Sequence, residues 1–219
     1  TPIQLSAERL KRKYRSQIKD DVEIFEDCTD TIIRQVGDLG KIVDEFSAFA
    51  KTPTASINNF DICDTIRQAV LLQKITLDTI DIILNIPNEE VYINFDRRLI
   101  SQALINIIKN SSESIFDTHK ADNFGQININ LTNDKDFLSI KIVDNGSGFI
   151  IDHKEKLLEP YYTTREMGTG IGLSMVKNIM EAHEGTIHLD NHISDDGSIN
   201  GAIVEIRIPK TLIINSAKN

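Results

Sequence analysis

Three stretches of the 219-residue chain hold residue types whose spacing could do chemistry. The first is Asn106-Ile107-Ile108-Lys109-Asn110-Ser111-Ser112-Glu113. Asn106, Asn110 and Glu113 are spaced i, i+4, i+7, so on a helix they share one face. Asparagine is a middling helix former, and its carbonyl oxygen can coordinate Mg²⁺ without adding charge. Taken alone, such a polar stripe also describes a solvated helix face. The second stretch is Asp144-Asn145-Gly146-Ser147-Gly148-Phe149, directly after an alternating strand. Asn-Gly is the strongest short turn signal, so a plain hairpin turn is one reading. The other is a site, because two glycines in three positions permit close backbone approach and a buried Asp at a strand end can accept a specific hydrogen bond. The third is Gly168-Thr169-Gly170-Ile171-Gly172-Leu173, which opens a helix. Glycines there turn free N–H groups and the positive dipole end toward an anion, most often phosphate. No Gly-Lys-Ser/Thr is present, which excludes a Walker-type loop. The G-x-G-x-G spacing, with no strand leading in, excludes the dinucleotide fingerprint.

These stretches need elements to carry them. Asp96 can cap a helix from Arg97 to about Phe116, with Leu104, Ile107, Ile108 and Ile115 as its apolar side. Ile75–Ile82, Gln126–Thr132 and Phe137–Val143 alternate with period two and predict strands, the last two joined by the turn Asn133-Asp134-Lys135-Asp136. Ile171–Ala182 reads as helix with Gly185 as its stop, and Thr186–Leu189 and Ala202–Ile208 pair around Asp195-Asp196-Gly197. Helices interleaved with hairpin-linked strands predict a two-layer α/β sandwich.

The first fifty residues differ in texture. Val22, Phe25, Thr29, Ile32, Val36, Leu39, Val43, Phe46 and Ala50 step by three and four, a heptad seam in which Thr29 alone is polar. Ile3, Ala7, Leu10 and Tyr14 repeat the rhythm after Pro2, with the polar segment 16–21 as a turn between the two runs. An antiparallel helical hairpin is predicted, and pairing of two copies into a four-helix bundle would cover its stripe. Lys51-Thr52-Pro53-Thr54-Ala55-Ser56 marks the boundary. The fold class is thus α+β, with the hairpin over 1–52 and the sandwich over 57–212.

Composition narrows the partners. Lys plus Arg is 24 against 33 for Asp plus Glu, a net charge of −9 with pI near 5.0, so the basic footprint of a nucleic-acid binder is missing. No apolar run approaches the ~20 residues that cross a bilayer, so no direct membrane contact is expected. Cys28 and Cys63 are too few for a disulfide scaffold or a zinc site, and both are expected to pack. A cytoplasmic setting follows. The first residue is Thr1 and not Met, from which a piece of a longer protein is expected.

In order, an Asn-bearing helix, a strand ending in D-x-G-x-G and a G-x-G-x-G helix start resemble the N, G1 and G2 boxes of Bergerat-type ATPases. Leu158-Glu159-Pro160-Tyr161-Tyr162-Thr163-Thr164-Arg165 is similar to the F box of histidine kinases. Thr1–Leu10 and Cys28–Val36 are similar to the dimerisation hairpin of NtrY-like nitrogen-regulation sensor kinases. That resemblance implies an ATP-dependent protein-histidine kinase core in a two-component system. It would move the γ-phosphoryl of Mg·ATP to a His and, through a response-regulator receiver domain, to an Asp. Asn110 would hold Mg²⁺ and Asn106 would line the same side. Asp144 would accept from the adenine amino group, and Gly146 and Gly148 would let the chain pass close. Gly168, Thr169, Gly170, Ile171, Gly172 and Leu173 would hold phosphates. Residues 150–167, with Thr164 and Arg165, would lie over ATP, and Arg165 would face the terminal phosphate.

The resemblance also marks departures. Kinases of this type carry the phosphoacceptor His on the first hairpin helix, yet residues 1–51 contain none. His119, His153, His183, His188 and His192 all fall later and are expected to pack or lie at the surface. The acceptor is therefore expected upstream of Thr1, in the cytoplasmic part of a membrane-anchored sensor, and this chain is not expected to phosphorylate itself. Glu113 stands where many sensor kinases have a basic residue, so no phosphate role is given to it. Two other readings stay open, a dimeric nucleotide-sensing scaffold and a related ATPase that hydrolyses ATP. Asn106 argues against the second, since it stands where such enzymes carry an acidic residue.

Overall fold

The computed structural model describes residues 1–50, 56–74, 79–118, 125–149, 154–165, 168–194 and 197–214, without the side chains of 41, 42 and 44–50. It divides into two compact units, Thr1–Pro53 and Thr54–Asn219.

The first unit is a helical hairpin, α1 (Pro2–Tyr14) and α2 (Val22–Ala50). Thr1 caps α1 by accepting the Gln4 N–H, and Asp21 in the turn adopts φ 59°. Lys11 pairs with Asp30 and Arg15 with Glu26, so partners descend α2 as they climb α1, as antiparallel helices require. The predicted seam divides. Thr29 is buried, its hydroxyl donating back to Phe25 O and Glu26 O, and Val22, Phe25 and Val36 are half-buried. Ile32, Leu39 and Val43 are exposed, because one partner helix covers only part of a heptad stripe. Phe46 and Ala50 lie outside the described side chains. Cys28 is exposed and not packed, since it flanks the seam on the side away from α1.

The second unit is built from β1 (Asn58–Asp61), α3 (Ile62–Lys74), β2 (Ile80–Asn85), β3 (Tyr92–Phe95), α4 (Arg97–Thr118), β4 (Gly125–Asn133), β5 (Phe137–Asp144), α5 (Gly172–Glu181), β6 (Thr186–Ile193), β7 (Ile199–Pro209) and β8 (Ile213–Ile214). A five-stranded sheet runs β2-β4-β5-β7-β6, parallel between β2 and β4 and antiparallel elsewhere. A small antiparallel sheet, β1-β3-β8, stands apart from it. Helices α3, α4 and α5 pack against the large sheet as its second layer.

Alternation explains why α4 can sit there. Ile127, Ile129, Leu138, Ile140, Ile142, Val204, Ile206 and Ile208 are buried, while Gln126 and Lys141 on the opposite face are exposed. Against that apolar face α4 buries Ile100, Leu104, Ile107, Ile108 and Ile115, each contributing about 1.5–3 kcal/mol by leaving water. Asp96 fixes the helix start, with Oδ1 accepting the N–H groups of Arg98 and Leu99. Burial would raise its pKa, but the Ser56 N–H on Oδ2, these two hydrogen bonds and the charge of Arg98 together hold the carboxyl below the usual range. The strand predicted over 75–82 begins instead at Ile80 and runs to Asn85, because its ladder starts where Ile80 meets Gly125; residues 75–78 lie outside the described ones. The predicted stop after α5 shifts by one residue. Glu184, not Gly185, takes the left-handed φ of 58°, and Gly185 is needed because a Cβ there would meet Arg207 O at 2.7 Å. His183 is buried as expected, stacked on Phe95 with ring centroids 3.7 Å apart and Nδ1 2.8 Å from Ile179 O. His119 and His153 lie outside the described residues.

Candidate functional site

Helix α4 brings the site together, since its polar face touches both glycine stretches. Asp144 ends β5 and is 3% exposed. Its Oδ1 accepts the N–H of Gly146 at 3.0 Å and of Ala202 at 3.1 Å, and the Ser111 hydroxyl also hydrogen-bonds the carboxylate. Burial pushes its pKa up, and these hydrogen bonds, with the charge of Arg165, pull against the rise. A carboxylate offers roughly four acceptor sites, so three donors leave it able to accept one more.

The glycines after Asp144 are required by space. A Cβ on Gly146 would lie 2.3 Å from Ser114 Oγ, and one on Gly148 2.4 Å from Ile199 Cγ2. Gly148 also adopts φ +70°, which glycine takes freely. Ser114 fastens this turn to α4, its Oγ accepting the Ser147 N–H at 3.1 Å. Asn191 holds the far end, accepting from Phe149 N at 2.7 Å and donating to Phe149 O at 2.9 Å.

At the start of α5, Gly172 faces Asn110. A Cβ there would lie in ordinary contact with the Asn110 amide, at 3.4 Å from its nitrogen, so the glycine leaves the space beside Asn110 unfilled. Gly170 takes φ +66° and accepts the Tyr161 N–H at 3.1 Å through its carbonyl, which ties the Tyr161–Arg165 segment to the helix start. Gly168 lies against Thr163, whose hydroxyl oxygen accepts the Arg165 N–H at 3.1 Å. Ile171 is buried and Leu173 half-buried, so within the first turn they face protein.

Other predicted site residues stand as follows. Asn106 is half-buried and its amide donates to Met175 Sδ at 3.3 Å, on the second turn of α5. Thr164 is exposed and Thr169 half-buried. The Arg165 guanidinium lies on α4, donating from Nη1 to Glu113 Oε2 at 2.6 Å and from Nη2 to Asn110 O at 3.1 Å. Residues 150–153, 166 and 167 of the predicted covering segment lie outside the described ones. Ser111, Ser114, Asn191 and Gly201 escaped the sequence reading. Three serines in the four positions after Asn110 were the available signal for the first two. Gly201 had none: it adopts φ +127°, and a Cβ on it would fall 1.7 Å from Asp144 O.

No group of three or more His, Cys, Asp or Glu side chains is gathered among the described residues. A cation beside Asn110 would thus depend on that neutral carbonyl and on oxygens brought by an anionic ligand, which is how Mg²⁺ is commonly held at phosphates. The donor chemistry of Asn110 fits such a ligand.

Buried acceptor, asparagine face and glycine-led helix start are gathered on one α/β sandwich. A family model for histidine kinase-, DNA gyrase B- and HSP90-like ATPases matches residues 95–212, just over half of the chain, and the chain belongs to that family. Within it, the chain is 48% identical over 193 residues to the nitrogen regulation protein NtrY of Azorhizobium caulinodans, covering 87% of this chain and 25% of that protein. It thus spans about a quarter of that relative's length, and its similarity is to the NtrY-like sensor histidine kinases. The solved catalytic domain of the histidine kinase ThkA is 28% identical with a TM-score of 0.60, covering 71% of this chain and 96% of that one. ThkA in complex with the response regulator protein TrrA matches with a TM-score of 0.69 at 24% identity over 96% of this chain and 58% of that one, a likeness of fold that takes in the hairpin.

Proposed function

We propose that this chain is the kinase core of a two-component sensor, which binds Mg·ATP in residues 57–212 and supplies the γ-phosphoryl to a histidine and then to an aspartate of a response regulator. The observation that carries the reading is Asp144: a buried carboxylate held by Gly146, Ala202 and Ser111 with acceptor capacity left over. That capacity suits the adenine amino group and would reject the carbonyl of guanine. Asn110 would hold Mg²⁺, and the N–H groups of Thr169–Leu173 would take the phosphates, with Thr169 beside them and the Gly168 N–H already given to Arg165 O. Thr164 and Arg165 would stand at the terminal phosphate. Magnesium would neutralise charge on the phosphates, and the protein's part is alignment, which can account for ~7–11 kcal/mol of such a barrier.

The acceptor histidine is proposed to lie upstream of Thr1, because none of the five histidines falls within residues 1–51. Asn106 supplies no carboxylate to activate water, so hydrolysis is a poor substitute for transfer. The parent sensor would be membrane-anchored with this part in the cytoplasm, and two hairpins would pair into a four-helix bundle. Partnership with a receiver domain is supported by the solved complex of ThkA with TrrA.

Incubation with γ-labelled ATP tests the activity. The 219-residue chain is expected to stay unlabelled. A chain extended upstream through the first histidine is expected to form acid-labile phosphohistidine and pass it to a receiver domain. Label on the shorter chain contradicts the reading. Nucleotide binding without label on the longer one would favour a scaffold that senses nucleotide.

A further inference from the structure

Arg165 already has every nitrogen of its guanidinium directed at α4. Nη1 donates to Glu113 at 2.6 Å, Nη2 to Asn110 O at 3.1 Å, and Nε lies 3.5 Å from Asp117 Oδ2. The group is not far from the nucleotide site, since its charge is felt by Asp144 and it rests on the backbone of Asn110. Three of its five N–H donors are directed there and two carboxylates already balance its charge, so a terminal phosphate must compete with Glu113 and Asp117 for the group.

We infer that Glu113, with Asp117 beside it, is a specificity-determining residue that competes with the terminal phosphate for Arg165 and so lowers the preference of the site for triphosphate over diphosphate. The inference rests on the assignment of Arg165 to the terminal phosphate made above. Release is feasible on local grounds. The Arg165 backbone is fixed independently, its N–H given to Thr163 Oγ1 and its carbonyl accepting from Gly168 at 3.2 Å, so only the side chain has to swing. Glu113 is not orphaned by the exchange, because Lys109 lies 3.9 Å away on the same helix face. Glu113 is 43% exposed and Arg165 31%, so the pair is held weakly enough for a ligand to break.

Calorimetric titration with a non-hydrolysable ATP analogue and with ADP, both with Mg²⁺, tests the inference. Glu113→Gln is expected to tighten binding of the triphosphate by about 2- to 5-fold and leave ADP unchanged. Asp117→Asn should act in the same direction with a smaller change. Arg165→Ala should bring triphosphate affinity down to the ADP level, and in that background Glu113→Gln should have no effect, which a merely structural glutamate would not produce. The gain in Glu113→Gln should shrink as salt rises. Weaker triphosphate binding in Glu113→Gln, or an unchanged ratio between the nucleotides, overturns the inference and leaves ATP binding standing. Failure of the unmodified chain to bind either nucleotide overturns the functional reading and this inference with it.

Discussion

Asp144, the proposed adenine acceptor, acts against the stability of its own fold. Burial raises its pKa above the ordinary carboxylate value. Between that value and the raised one, the folded state holds a proton that the unfolded chain releases. Stability from this group therefore falls as pH rises through the window, and is regained as pH falls through it. Asp144→Asn removes the ionisation while keeping an oxygen for Gly146 and Ala202. The variant is expected to melt no lower than the native chain near neutral pH, with any advantage closing as the pH falls through the window. Thermal scans across pH check this, and a variant that melts well below the native chain at neutral pH would contradict it. At Asn110 the dissection is by ion. Asn110→Ala is expected to weaken ATP binding at least ~10-fold in Mg²⁺, about one lost charge-assisted contact, and far less in EDTA. Equal losses in both would mean that Asn110 does not hold the metal.

Among the elements, β7 positions the site without contributing to its chemistry. Its Gly201 lets the strand press on the end of β5, and Ala202 beside it donates to Asp144. Gly201→Ala should cost about 1–3 kcal/mol, from strain at φ +127° and a Cβ inside the Asp144 carbonyl. Nucleotide affinity should fall with it, and denaturant unfolding alongside titration reads both; unchanged unfolding would contradict the packing described. How far sequence alone could see this divides along physical lines. Helix α4 and the β4–β5 hairpin were legible because twenty-odd helical residues and two long alternating strands repeat their period several times over. The four-residue strands β1 and β3 are too short to show a period, and the two-residue β8 shows none. Asp144 and the two glycine stretches were legible because each is contiguous. Gly201 and Asn191 were not, since their contacts with Asp144 and Phe149 span some forty to sixty residues and exist only through the pairing of β5, β7 and β6.

For the molecule as a whole, the hairpin leaves Ile32, Leu39 and Val43 exposed on α2 and Ile3 and Leu10 on α1. An apolar stripe of that length on an acidic chain of net charge −9 is expected to be covered by a second copy. Leu39→Asp should then give monomers by light scattering while nucleotide binding is retained, and a monomeric native chain would remove the claim. The function of the chain turns on what the second unit binds. Calorimetric titration of the unmodified chain with ATP and with GTP, each in Mg²⁺, and of Asp144→Asn with ATP, tests that most directly. ATP is expected to bind, GTP to bind far more weakly, and Asp144→Asn to lose about 1–3 kcal/mol, roughly 5- to 150-fold, of ATP affinity. Equal binding of ATP and GTP, or an unchanged affinity in Asp144→Asn, would contradict the assignment of Asp144 as the adenine acceptor.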